Sequence, residues 1–303
     1  MNTLELIKQL REITQAGMKD CKDALVECNN DLEKAVDLIK VKGKNIVSGR
    51  VGRVAAEGLV VVSPLPYNAN AVAMLEINCQ TDFVARSESF KTVALVAMQG
   101  LLVSATTNTP FDVNDSLVSA AVESIVTTTK ENVVIRRWWV EEAIDPTAKV
   151  FSYLHNGSQL GVILTLKAST VEAAADPRFI SLGNDLAMQA AAMNPVAISA
   201  DHVPSDVKER QQAIFETQLT EANKPQAAWP KILTGKFSKW YSESCLLEQE
   251  SVVEVKTSVK DVIATVAKQL GGEVIVVNMI RCQVGEGLVK EKTDLADEVA
   301  KLM

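Results

Sequence analysis

The sequence writes the same strand–strand–helix pattern twice, and that duplication limits the fold more than any other feature. In the first copy an apolar run over 59–62 precedes a turn-rich stretch with Pro64, Pro66 and Asn68, and a half-buried strand follows over 71–77. A helix then runs from near Phe90, behind Ser87 or Ser89 as cap, to about Val103, and Asn108-Thr109-Pro110 closes it. In the second copy strands over 150–154 and 160–166 flank the turn His155-Asn156-Gly157-Ser158-Gln159. After Asp176-Pro177-Arg178-Phe179 comes a helix carrying Leu186-Ala187-Met188-Gln189, where the first copy has Leu95-Val96-Ala97-Met98-Gln99. Met98 and Met188 are thus expected at corresponding points. The pattern predicts a duplicated α+β core with antiparallel strands, built from two half-domains over 55–148 and over 149–197 with 242–286.

Residues 1–42 read as three short amphipathic helices. Asn2 with Glu5 makes a capping box, and Leu6, Leu10 and Ile13 fall on one face. Gln15-Ala16-Gly17 breaks that helix, Cys21, Ala24, Leu25 and Cys28 give a second face, and Asn30 with Glu33 caps a third carrying Leu32, Ala35, Val36 and Ile39. Helices this short are marginal alone and must share their apolar faces. Residues 1–54 are therefore expected to form a three-helix domain and linker. The linker is basic at Lys40, Lys42, Lys44, Arg50 and Arg53. Its Gly49-Arg50-Val51-Gly52 matches the Gly-x-x-Gly loop of KH RNA-binding modules, but the strands come only after it, and a solvated linker is the better reading.

Between the halves lie a helix over 116–129 and a strand over 133–140, where Arg136 and Arg137 read as salt-bridged surface residues and Trp138 and Trp139 point to opposite faces. The second half is interrupted at 198–241 by a helical hairpin turning at Asn223-Lys224-Pro225, with a thin stripe of Val207, Ile214 and Leu219. The core resumes with a helix over 259–270 behind Ser258 and a strand over 273–281. A C-terminal helical module over 287–303 holds a helix over 294–302.

Charge and motifs narrow the function. A net charge of −7 argues against a main partner of nucleic acid. Five scattered cysteines (Cys21, Cys28, Cys79, Cys245, Cys282) fit free thiols in a reducing compartment, with Cys21 and Cys28 in a core. The most apolar stretch, 93–105, is too short to span a bilayer, and no export signal precedes it. A cytoplasmic protein without membrane attachment, cofactor or metal is expected. Phosphate loops, dinucleotide fingerprints, zinc motifs and nucleophile elbows are missing from the sequence, and it holds only His155 and His202 for histidine chemistry. Carboxylate chemistry stays open on this count.

One surface connection stands out. In Asn78-Cys79-Gln80-Thr81-Asp82-Phe83-Val84-Ala85-Arg86 an acid and an aromatic ring sit side by side between a strand and a helix. Composition alone reads Phe83 as an anchor in the loop's own core. The second half lacks the Thr-Asp-Phe tip, so the fold does not need it.

This nine-residue stretch resembles the signature of the bacterial translation elongation factor Ts family. Leu10 to Lys22, with its Ala16-Gly17-Met18 turn and Asp20-Cys21-Lys22 helix start, is similar to that family's amino-terminal motif, although Gln15 and Lys19 depart from it. Asn132-Val133-Val134-Ile135-Arg136-Arg137 and Tyr153-Leu154-His155 are also like the family. The resemblance implies a ubiquitin-associated-like N-terminal domain and a guanine nucleotide exchange factor, a non-enzymatic binder of elongation factor Tu. It further implies partner contacts at Thr81, Asp82, Phe83, Val84, Arg11, Met18 and His155, displacement at the partner's magnesium ion by the Asp82-Phe83 loop, and self-association through the hairpin in some members.

Overall fold

The computed structural model describes residues 3–14, 16–39 and 53–288 of the 303-residue chain. Most of the linker over 40–52, the Gly49–Gly52 loop, Asn2, Gln15 and the expected helix over 294–302 lie outside the described residues. The chain forms an α+β protein that divides into two compact units, residues 1–63, 73–139 and 283–303 in one, and 64–72 and 140–282 in the other.

The first unit begins with α1 (Thr3–Thr14), α2 (Met18–Glu27) and a helical run α3 over 32–39. Leu10, Cys21, Ala24, Leu25 and Ala35 are fully buried among them. Cys28 is only partly covered. Ile13 is not on the buried face as expected; it is 59% exposed. The buried stripe of α1 follows Leu6, Ile7, Leu10 and the half-buried Thr14, whose hydroxyl donates to the Leu10 carbonyl at 2.6 Å. The third helix is capped by Asp31 rather than Asn30, since Asp31 Oδ1 accepts from Lys34 N–H at 3.1 Å. Asn29 and Asn30 instead take positive φ (54° and 65°) in the turn before it, which asparagine tolerates.

A three-stranded sheet follows in the order β1 (Glu57–Leu65), β2 (Asn68–Cys79), β3 (Val134–Glu142). The turn-rich stretch is shorter than its residues suggest: Pro66 and Tyr67 alone turn between β1 and β2, and Pro64 and Asn68 lie inside the strands. Proline is tolerated there because β1 is an edge strand and Pro64 is exposed. Strand β2 is the central strand, and it is buried on both faces from Ala71 to Cys79, not half-buried.

After β2 come α4 (Asp82–Ala85), α5 (Glu88–Thr107) and α6 (Ser116–Thr129). At 20 residues α5 exceeds the apolar stretch read from the sequence and is long and apolar enough to cross a membrane. Phe90, Val93, Ala94, Ala97, Met98 and Leu101 are instead buried in the protein, which makes it a core helix.

Arg136 and Arg137 are not merely surface residues. Arg136 Nη1 reaches Glu76 Oε1 at 3.1 Å, and Arg137 Nε donates to the other carboxylate oxygen. The Glu76 side chain is fully buried in the middle of β2, which the strand's local pattern could not reveal.

The second unit holds a sheet ordered β4 (Ala148–His155), β5 (Leu160–Ala168), β6 (Val274–Gln283). Strands β4 and β5 pair antiparallel, with Phe151 opposite Leu164 and His155 opposite Leu160. Against them lie α7 (Val171–Ala175), α8 (Pro177–Met193) and α11 (Val259–Leu270). A hairpin of α9 (Ser205–Glu221) and α10 (Trp229–Ser244) projects between α8 and α11 in the sequence. Within it Leu219 and Phe215 are buried while Ile214 is half exposed, so the stripe includes Phe215 and not Ile214.

The duplication is real, but its register is one residue from the sequence match. Ser87 caps α5 and Asp176 caps α8, an offset of 89 residues that also pairs the fully buried Phe90 and Phe179. Met98 therefore corresponds to the buried Ala187, and Met188, only half buried, corresponds to the exposed Gln99. The shared Ala-Met-Gln triplets are a coincidence of composition.

Candidate functional site

Strand β2 ends at Cys79, and the chain turns outward through Gln80 and Thr81 into the single helical turn α4. The Cys79 thiol donates to the Thr81 carbonyl at 3.2 Å. Burial first, then the negative charges of Glu131 and Glu57, push its pKa up to about 12, so it stays protonated and serves as a structural donor.

Thr81 caps α4, its Oγ1 accepting from Val84 N–H at 3.4 Å. That hydroxyl donates to Glu131 Oε1 at 2.6 Å, while Glu131 Oε2 accepts from the N–H groups of Gln80 and Thr81 at 3.1 and 3.0 Å. Gln80 Oε1 in turn accepts from Asn132 N–H at 2.9 Å. At the far end Ser87 Oγ donates to the Val84 carbonyl at 2.7 Å and accepts from Phe90 N–H, starting α5. The tip is thus tied on both sides, and Ala85 is its buried residue.

Phe83 is 84% exposed on this tied turn. It does not anchor the loop in a core. Burying a phenylalanine contributes about 1.5–3 kcal/mol, and this ring contributes almost none of it to the fold. Beside it the Asp82 carboxylate is 3.1 Å from Arg86 Nη2, one helical turn on. Val84 is half buried.

The other expected contact residues lie elsewhere. Arg11 is exposed in the last turn of α1, and Met18, 60% exposed, begins α2 immediately after its cap Gly17. Lys19 beside it is exposed too. Both belong to the same unit as the tip. His155 ends β4 in the second unit, exposed, with the Tyr153 hydroxyl 3.0 Å from its Nδ1 and the two rings stacked at 5.9 Å.

Sequence reasoning missed Arg86, Glu131 and Asn132. Arg86 was visible as the i+4 partner of Asp82. Glu131 meets the tip across 50 residues, and nothing local marks it. Among the described residues there is no cluster of His, Cys, Asp and Glu that could hold a metal ion.

The family model described as Elongation factor TS matches residues 80–286, and a UBA-like domain model matches residues 1–39. The chain is 36% identical over 307 residues to elongation factor Ts of Clostridioides difficile (strain 630), covering 99% of this chain and 98% of that protein. It is 36% identical over 304 residues to elongation factor Ts of Symbiobacterium thermophilum, covering 99% and 97%. Elongation factor Ts of Agrobacterium fabrum (strain C58) is 35% identical over 308 residues, covering 98% and 97%. With a family model across more than half of its residues and relatives matched over nearly their whole length, the chain belongs to the elongation factor Ts family.

Proposed function

We propose that the chain is a cytoplasmic guanine nucleotide exchange factor that binds elongation factor Tu and promotes release of GDP during translation elongation. The observation that carries the mechanism is Phe83, an aromatic ring held almost wholly in water on a turn tied at both ends. A preorganised ring of this kind suits insertion into a partner, where a buried aromatic hot spot is worth about 2 kcal/mol or more. Asp82 enters beside it and disturbs the ligation of the partner's magnesium ion, which tolerates little departure from octahedral geometry. Arg11, Met18 and His155 supply further docking contacts.

No covalent chemistry is needed. A factor that weakens GDP binding must itself be weakened by GDP to the same extent. A thousandfold effect is a coupling of roughly 4 kcal/mol, so the ring would carry about half of it. Exchange needs no cofactor and no contact with nucleic acid, in keeping with the net charge of −7. The half-exposed Ile214 on the helical hairpin offers a surface for self-association.

The test is the release of labelled GDP from purified elongation factor Tu, with wild type and with Phe83→Ala. The exposed ring predicts a variant whose stability changes by no more than about 0.5 kcal/mol. Its exchange should fall about thirtyfold, the equivalent of about 2 kcal/mol. Wild-type protein that leaves GDP release at the spontaneous rate would end the proposal.

A further inference from the structure

We infer that Glu131 is a positioning residue for exchange, the side chain that fixes the Thr81–Phe83 tip in the attitude from which the ring enters the partner. The inference rests on the exchange-factor reading and adds a residue to its machinery. The hydrogen bonds of Glu131 run to Gln80 and Thr81 and not to Phe83. It acts through Thr81 and Gln80, with one carboxylate oxygen on the Thr81 hydroxyl and the other on two consecutive backbone N–H groups. Three hydrogen bonds to one carboxylate, at 2.6, 3.0 and 3.1 Å, lock the Gln80 and Thr81 amides at the point where the chain leaves β2.

The duplicated half supplies an internal control. There Thr170 caps α7 as Thr81 caps α4, and Ser169 stands where Gln80 stands. The link between this turn and the residues leading into the third strand of each sheet is kept. Gln80 Oε1 accepts from Asn132 N–H at 2.9 Å, and Ser169 Oγ accepts from Glu273 N–H at 2.6 Å. Lys130 and Gly271, both in the left-handed region, end α6 and α11 in the same way. The residue after each is Glu131 in one half and Gly272 in the other. A Cβ on Gly272 would lie 2.6 Å from Ser169 Oγ, so a side chain there would have to push Ser169 out of its link. The half that displays the ring carries a carboxylate at this point; the half with no ring has neither. Both halves make the Gln80 or Ser169 link, and Glu131 is additional to it.

The experiment is stopped-flow release of labelled GDP from elongation factor Tu over a range of factor concentrations, giving a maximal rate and a half-saturating concentration. Wild type, Glu131→Ala, Glu131→Gln, Phe83→Ala and the double variant Phe83→Ala/Glu131→Ala are compared, each with its melting temperature. Glu131→Ala should lower the maximal rate about tenfold, because small misplacements of a positioned group are amplified in rate. Its melting temperature should fall by no more than about 4 °C, since Thr81 is exposed and its freed N–H can meet water. In the Phe83→Ala background the same substitution should change nothing further. A purely structural residue would slow both backgrounds alike, and that result overturns the inference. So does a Glu131→Ala rate equal to wild type when Phe83→Ala is slow. Should Glu131→Ala not fold, Glu131→Gln decides: it keeps the shape but can accept through one oxygen only, and a wild-type rate overturns the inference. If Phe83→Ala is itself as fast as wild type, the wedge reading fails and takes this one with it.

Discussion

Asp82 and Arg86 form an ion pair at 3.1 Å within the tip, with side chains 45% and 81% exposed. Exposed i,i+4 pairs contribute only about 0.3–0.5 kcal/mol, so the pair does not hold the turn together. It does hold the Asp82 carboxylate against a cation of its own chain, in competition with any cation of a partner.

From this competition the effect of Arg86→Ala follows. The variant should melt within about 0.5 kcal/mol of wild type. Freed of its own cation, Asp82 should act more readily, raising GDP release by about twofold, the worth of an exposed pair. Raised salt should shrink the difference, because both partners are exposed. A slower Arg86→Ala would mean that the arginine itself contacts elongation factor Tu.

The buried carboxylate of Glu76 gives the second prediction. Burial opposes its charge, but the Gly285 N–H at 2.9 Å and the Arg137 guanidinium outweigh burial and hold its pKa below the usual carboxylate range. Through the same two arginines the segment after β6 is fastened, since Arg136 donates to the Glu286 carbonyl at 2.6 Å and Arg137 to the Gln283 carbonyl at 3.0 Å. Gly285 must be glycine here: its φ is +71° and a Cβ would meet the Ala56 carbonyl oxygen at 2.2 Å. Glu76→Ala leaves two half-buried guanidinium groups without their carboxylate and should cost about 3–5 kcal/mol in urea unfolding at neutral pH. Because the folded pKa is depressed, the stabilisation is complete above the unfolded value of about 4.3. It is lost as pH falls from there through the lower folded value. Wild type should therefore lose stability on that limb faster than the variant.

What the sequence reveals here is what its local patterns encode. Ser87 and Ser258 as caps, Gly271 as a left-handed stop and the alternation of strand with turn each depend on residues a few positions apart, and the elements form where those signals lie. Apart from the third helix's cap, which moves by one residue from Asn30 to Asp31, the misreadings are contacts at long range or choices of face. Glu76 finds Arg136 and Arg137 across 60 residues, and Thr81 finds Glu131 across 50. Pro64 argues for a loop until β1 is known to be an edge strand. The tip itself was recognisable from its residue string, but the exposure of Phe83 was not, because a lone aromatic in a connection usually packs.

The register of the duplication is tested by two small substitutions. If Met98 occupies the place of Ala187, then Met98→Ala empties a core position, whereas Met188→Ala trims a half-buried side chain. The expected losses are about 2–5 kcal/mol for the first and no more than about 1 kcal/mol for the second. Equal losses would restore the register suggested by the two Ala-Met-Gln triplets. Overpacking supplies a converse check, with Ala187→Met expected to cost about 1–3 kcal/mol in a well-packed site.

The helical hairpin should be removable. The chain enters and leaves it side by side, with Val196 N–H donating to the Ser244 carbonyl at 2.7 Å and Leu246 N–H to the Ala197 carbonyl at 3.0 Å. An isolated bridge between Ala197 and Cys245 lies between these bonds. At the base Ala197, Val203 and Cys245 form a small apolar cluster of their own, covered by Val207, Trp240 and Tyr241. Further out the arms meet through Phe215 and Phe237, edge to face at 5.2 Å, and through Lys236 on Gln218 at 2.7 Å. Those contacts stabilise only the arms. Replacing residues 208–239 with a short Gly/Ser link leaves the base cluster and both bonds at the neck in place. The link closes a gap between residues already packed together, and loop closure costs little at that length. The shortened protein should keep its melting temperature to within about 4 °C, the equivalent of roughly 1 kcal/mol for a unit of this size. GDP release at saturating factor should persist, because the Phe83 tip lies in the other unit. Any self-association through Ile214 should disappear in sedimentation. A protein that no longer folds would show that the arms, and not the neck, hold the second unit together.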